Sequence, residues 1–199
     1  QLAAQAANTA GPAPGPDLLD TAVALLERSF DAANGGWGGA PKFPQPMTIE
    51  FLLRRFASTG DPRPLIVART SLDRMANGGV HDQLGGGFHR YSTDAQWLVP
   101  HFEQMLYDNA QLARVYVHAW QLTGDDAYRR VAIGTLDYIL RELTTADGAF
   151  AASQDADTDG IEGLTFTWRA AEVRDVLGDD AGLFEAAYGV TDDGNWEGV

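Results

Sequence analysis

The sequence predicts an all-α fold, a partial α/α toroid of about three helical hairpins joined by glycine-rich loops. Three observations predict it. Amphipathic segments with apolar residues at helical spacing fill most of the chain. Polar loops rich in glycine separate them, so that a helix, loop, helix unit recurs at a spacing of about 50 residues, within the range of repeat architectures. Strand-like alternation is confined to Leu164–Trp168, which reads as a short strand hairpinned with Phe150–Ser153. Six helix pairs close a toroid, so the expected division is a linker over 1–16 and, over 17–199, the N-terminal half of a toroid domain that is incomplete at its C-terminus.

The linker reading rests on alternating Ala, Pro and Gly without an apolar period. Asp17 is the expected cap of a first helix running to about Phe30, and Thr48 the expected cap of a second with Ile49, Leu52, Leu53 and Phe56 in its stripe. A third runs from about Pro64 to Ala76. Pro100 suits the first position of the fourth and strongest helix, which ends at Gly124. A fifth covers Asp125 to about Leu143, and short helices follow from Ala170 and Ala181. The intervening segments 34–44, 78–91 and 148–160 carry too much glycine and proline for regular helix. A half ring would also leave apolar helix faces exposed.

Composition narrows the function classes. The 199 residues contain no cysteine, which removes disulfides, thiolate metal sites and thiol redox chemistry. With 28 acidic against 14 basic residues, the formal charge of −14 repels phosphate backbones, so no nucleic acid is expected as a partner. No membrane span and no signal peptide is legible, so the chain reads as cytoplasmic with no membrane partner. No nucleotide, haem or flavin motif appears, and no cofactor is expected. Gly85-Gly86-Gly87 lacks the strand before it and the Lys-Ser/Thr after it that mark a phosphate loop; it reads as backbone passing close to the next hairpin.

The loops carry long motifs: Gly38–Pro44 (GGAPKFP), Asp82–Ser92 (DQLGGGFHRYS), Val99–Ala110 (VPHFEQMLYDNA) and Gln154–Asp157 (QDAD). In these the chain resembles the thioredoxin-domain-containing family typified by spermatogenesis-associated protein 20, from Trp37 to the end. The resemblance implies a six-hairpin (α/α)6 toroid similar to N-acylglucosamine 2-epimerase and glycosidase-like barrels, preceded by a thioredoxin-like domain in the full-length protein. It implies carbohydrate-enzyme-like architecture and leaves the family's reaction open. The chain departs from the family pattern at His81, where tyrosine is usual, and over Leu164–Arg169.

The residues themselves offer acid–base chemistry. His89 and His101 are the candidate histidines, and His101 is expected in a first helical turn, sharing a face with Gln104 and Asp108. Each either lines a ligand site or bonds a neighbouring backbone group. Asp155 and Glu162 offer a carboxyl pair of the kind that sugar hydrolysis or epimerisation uses. With His89 and His101 they form the candidate catalytic set. Asp155, Asp157, Asp159 and Gly160 begin like a calcium loop, but its twelfth position is Phe166 and no metal is expected. Candidate substrate-binding residues are Trp37, Lys42, Arg90, Tyr91, Asp94, Trp97, Asp108 and Asn109. Arg90 reads as a carboxylate clamp or a structural one, Lys42 as an anion contact or an internal salt bridge. Phe43 and Trp168 read as end-closing core, Trp37 and Trp97 as either core or sugar platform. Two functions remain open: a sugar or polyol enzyme of the epimerase, isomerase or hydrolase kind, and a non-catalytic scaffold serving a thioredoxin-like domain.

Overall fold

The computed structural model describes residues 15–196. Of the expected linker only Gly15 and Pro16 fall among them; the remainder lies outside the described residues. Prolines open the first three helices: α1 (Pro16–Ser29), α2 (Pro46–Thr59) and α3 (Pro62–Ala76). Proline has its φ preset for a helix and lacks the N–H that a first turn leaves unpaired. Asp17 therefore sits in the first turn of α1 rather than capping it, and Gln45, with φ of 50°, precedes α2 in place of Thr48. Asp61 caps α3, its carboxylate accepting from Arg63 N–H at 3.0 Å. The remaining helices are α4 (Leu106–Thr123), α5 (Asp126–Glu142), α6 (Ala170–Leu177) and α7 (Ala181–Tyr188). Asp125 caps α5 through Ala127 N–H at 3.1 Å, as its sequence position predicts.

Two expectations give way to strand pairing. Pro100 does not open α4. Tyr91–Ser92 (β1) pairs antiparallel with Pro100–His101 (β2), and Gln104–Met105 (β3) pairs with Ser153–Gln154 (β4). The fixed φ of proline suits a strand edge as well as a helix start, and here cross-loop carbonyls supply the backbone partners. The helix begins at Leu106, whose N–H donates to Ala152 O at 2.9 Å. His101, Gln104 and Asp108 accordingly do not share a helical face. The Leu164–Trp168 strand is also absent: Phe166 and Thr167 both donate to Gly163 O, which makes this stretch a turn. Phe150 bridges Thr144 instead, and the third ladder joins Asp157–Thr158 (β5) to Ile161–Glu162 (β6).

Helix α2 packs on α3 and α4, and α4 on α5. Contacts between α2 and α4 advance in the same direction, Met47 with Arg114 and then Glu50 with His118, so these two helices run parallel. With short turns after α2 and α4 and long loops after α1, α3 and α5, every long loop collects at the end of the bundle where α2 and α4 begin. The core between them holds Leu52, Leu72, Met75, Leu112, Tyr116 and Tyr128. The two tyrosine hydroxyls are satisfied within α3, Tyr116 on Leu72 O at 2.8 Å and Tyr128 on Asp73 Oδ1 at 2.7 Å. On the outside, Ile133, Leu136 and Leu140 of α5 form an exposed apolar stripe.

The glycine triplet does what its composition predicts. Gly86 has φ of +77°, and a Cβ there would lie 2.6 Å from Gly134 O on α5. Only glycine lets this loop seat directly on the helix of the next hairpin. Gly79 is as confined, since its Cβ would fall 2.0 Å from Leu98 O.

Candidate functional site

The loop end carries two adjoining arrangements. On one side lies a polar cluster. His101 Nδ1 is 2.7 Å from Glu162 Oε1, its Nε2 is 3.9 Å from Glu103 Oε2, and its ring stacks on Tyr91 at 5.0 Å and 22°. Tyr91 in turn packs on Phe43 at 4.9 Å. Glu103 is held by Arg90, Nη1 to Oε2 at 2.9 Å, and Arg90 N–H also donates to Glu103 O. Asp108, in the first turn of α4, completes the group. Burial pushes its carboxyl up to about 6; Arg90 opposes that shift and Glu103 reinforces it.

In the tautomer that donates Nδ1–H to Glu162, His101 carries its lone pair on Nε2, toward the side where Glu103 and Arg90 stand. A carboxyl titrating near 6 exchanges a proton readily at neutral pH. A base and an acid that both neighbour Glu103, partly exposed at the mouth of a bundle, are the groups that acid–base chemistry on a ligand would use.

The second arrangement is a cleft of about 480 Å³ bounded by loop 79–85, the end of α5, residues 165–168 and the segment after α7. His89 lines it, together with His81, Phe102, Tyr138, Gln154 and Trp168. His101, Asp155 and Glu162 do not. His89 is only 2% exposed, and its Nδ1 donates to Phe102 O at 2.9 Å. Burial pushes its pKa down to about 4, the carbonyl bond opposing this only in part.

The four candidate catalytic residues are thus divided. His101 and Glu162 meet, His89 stands in the cleft, and Asp155 is exposed, its Oδ1 accepting from Asp157 N–H at 3.1 Å in a local turn. Among the described residues no group of three His, Cys, Asp or Glu side chains is placed to hold a metal ion.

Several candidate binding residues are occupied by the fold. Lys42 is fully buried, with Nζ 2.7 Å from Asp31 Oδ2, 3.0 Å from Ala95 O and over the Trp97 ring. Its ammonium holds the Asp31 carboxyl far below the ordinary carboxylate range. Asp94 closes its own loop through the N–H groups of Gln96, Leu98 and Val99. Burial raises the Asp94 carboxyl, but the Val99, Leu98 and Gln96 bonds outweigh it and leave the pKa lowered. Asn109 clamps the loop to α4: Oδ1 accepts from Phe88 N–H at 2.6 Å, and Nδ2 donates to Phe88 O at 2.9 Å and Met105 O at 3.0 Å.

The core expectation fails for Phe43 and Trp168, and the open choice for Trp37 and Trp97 resolves to core. Trp37 and Trp97 are buried, their indole N–H groups on Leu26 O and Asn34 O, whereas Phe43 and Trp168 are half exposed. An indole finds its partner wherever a loop carbonyl turns inward, which only the folded loops decide.

Sequence reasoning gave no role to Glu50 and His118. The buried Glu50 carboxylate meets His118 Nδ1 at 2.8 Å and Arg54 Nε at 2.6 Å. Burial opposes its ionisation, but the bonds to His118 and Arg54 prevail and lower its pKa. The only trace in sequence is an acidic residue on the apolar side of α2.

No protein-family model matches the chain. Human spermatogenesis-associated protein 20 is 42% identical over 190 residues, and the rat protein 40%; each match covers 85% of this chain and 24% of the relative. The chain therefore spans about a quarter of the length of these relatives. Among solved structures, a sugar epimerase from a ruminal bacterium superposes with a TM-score of 0.60 at 15% identity, covering 69% of this chain and 41% of the epimerase. Cellobiose 2-epimerase from Spirochaeta thermophila gives 0.57 at 18% identity, with coverages of 72% and 42%. An unsaturated glucuronyl hydrolase specific for heparin gives 0.56 at 15% identity, with coverages of 86% and 52%. At such identities the likeness establishes the fold, a partial (α/α)6 toroid of the kind carbohydrate enzymes use.

Proposed function

The chain belongs, over the segment it spans, to the spermatogenesis-associated protein 20 family, and from that premise we propose that its loop end binds a sugar or related polyol and performs acid–base chemistry on it. The observation that carries this reading is the His101–Glu162 pair at 2.7 Å, with Glu103 shared between His101 and Asp108, a carboxyl lifted to about 6 by burial. His101 takes a proton at Nε2 while Glu162 holds Nδ1–H and stabilises the charge that forms. Asp108 returns a proton to the ligand, and Arg90 orients Glu103 and any anionic oxygen that develops. The epimerase-like fold favours proton transfer at a carbon next to a carbonyl. The exposed ring of Phe43, packed on Tyr91 beside His101, offers an apolar face to a sugar ring.

The test is solvent deuterium incorporation at C2 of aldoses and N-acyl hexosamines, followed by NMR in D2O on the chain and on the full-length protein that carries it. Exchange that falls at least 100-fold or so in His101→Gln, with the fold intact, is the expected result. Exchange unchanged in His101→Gln, or none with any sugar, removes the reading.

A second reading has its own support in Lys42, Asp94 and Asn109, whose polar groups are spent on holding the loops together. In it the toroid is a non-catalytic module beside the thioredoxin-like domain of the full-length protein. Absence of exchange in every sugar, with a stable complex between the two domains, selects it.

A further inference from the structure

The cleft beside the His101 cluster has its own chemistry. His81 and His89 both line it. Each is bonded through Nδ1 to a backbone carbonyl, His81 to Ala76 O at 3.1 Å and His89 to Phe102 O at 2.9 Å. A carbonyl only accepts, so both hydrogens sit on Nδ1 and both Nε2 atoms present a lone pair. Neither Nε2 has a hydrogen-bond partner among the described residues. The rings are fixed in place: His81 stacks on Phe88 at 4.7 Å, and His89 stands edge-on to Phe166 at 4.9 Å and 84°. Burial lowers the pKa of both imidazoles, so neither gains positive charge near neutrality.

We propose that this cleft is a separate binding site for an uncharged, polyhydroxylated ring whose hydroxyls donate to Nε2 of His81 and His89 while its C–H face lies on Trp168. The complementarity is specific. Two imidazole lone pairs lining one cleft favour a ligand that brings its own hydrogens. The rim sets two carboxylates, Asp82 and Glu142, against one guanidinium, Arg141, which disfavours an anion. Trp168, half exposed at the edge, leaves indole surface for a ring to cover. The cleft lies in the size range of small-molecule sites. The site does not rest on the acid–base reading of His101, because it needs no bond to be made or broken.

Methyl β-D-glucopyranoside is the probe, since its locked ring has no free carbonyl and cannot enter the proton-exchange chemistry above. Isothermal titration of the 199-residue chain is expected to give saturable binding. D-glucuronate should bind about tenfold more weakly. His81→Phe and His89→Phe should each weaken glycoside binding by about tenfold or more, because each removes an acceptor while keeping the ring. Should His89→Phe fail to fold, Trp168→Ala at the exposed rim carries the same expectation. His101→Gln should leave the affinity as it was. No saturable binding, affinity unchanged in His81→Phe and Trp168→Ala, or binding lost in His101→Gln would each overturn the assignment. Glycoside binding without C2 exchange counts against the acid–base reading alone, and exchange without glycoside binding counts against this one alone.

Discussion

His89 and His101 lie on the same connection between α3 and α4 and reach opposite chemical situations. His101 is partly exposed, paired with the Glu162 carboxylate and near Glu103, which Arg90 holds. His89 is buried, bonded to a carbonyl and walled by Phe102 and Phe166. A carboxylate partner stabilises whatever positive charge the first ring acquires, so that ring is suited to carry a proton. An uncharged partner in an apolar wall keeps the second ring neutral, so it is suited only to accept a hydrogen bond. On the readings proposed above, two histidines close in sequence serve proton transfer and ligand recognition, and what distinguishes them is the partner of Nδ1.

Three experiments break or sharpen that contrast. The largest effect is expected from Asn109→Ala. It removes three bonds that tie Phe88 and Met105 to α4, next to both histidines. A loss of about 3 kcal/mol in denaturant unfolding is expected, with C2 exchange and glycoside binding falling together. If only one of them falls, the two sites do not share this clamp.

The next effect is acid sensitivity. The folded pKa of His89 lies at about 4, below the unfolded value, so the unfolded chain takes up the proton first as pH falls. Its contribution, on the order of 3 kcal/mol, is whole above about pH 6.5 and is lost progressively down to about pH 4. Stability measured over that window should become flatter in His89→Phe; an unchanged slope would show that His89 is not held neutral.

The smallest effect has the opposite sign. The folded pKa of Asp108 is raised to about 6, so the folded chain holds that proton more firmly than the unfolded one, and stability falls as pH rises from about 4 to about 6. Asp108→Asn should therefore be more stable than the parent by about 1 kcal/mol at pH 7, a figure reduced for the partial exposure of the group, and equal to it below about pH 4. The same variant should slow C2 exchange. A variant that exchanges at the parental rate removes Asp108 as the acid.

The helical body was legible because its determinants are local. Apolar spacing marks α2, α3 and α5, Asp125 caps α5 from its sequence position, and the glycine triplet announces the close approach that Gly86 makes to Gly134. The likeness to the family lies in the loop motifs, and the relatives bear it out. The loop end was not legible to the same degree, because each of its features is a choice between partners far apart in sequence. Pro100 fits a helix start and a strand edge equally; Tyr91–Ser92 decides for the strand. Trp97 becomes core because Asn34 O turns toward its indole, and Lys42 becomes buried because Asp31 stands 2.7 Å away. The meeting of His101 with Glu162 spans 61 residues and depends on two separate ladders, β1–β2 and β5–β6. The sequence by itself determined the helices, the loops and the residue types gathered at one end. Tertiary structure alone decided which histidine meets a carboxylate and which a carbonyl, since burial and hydrogen-bond geometry, rather than residue identity, set what an imidazole can do.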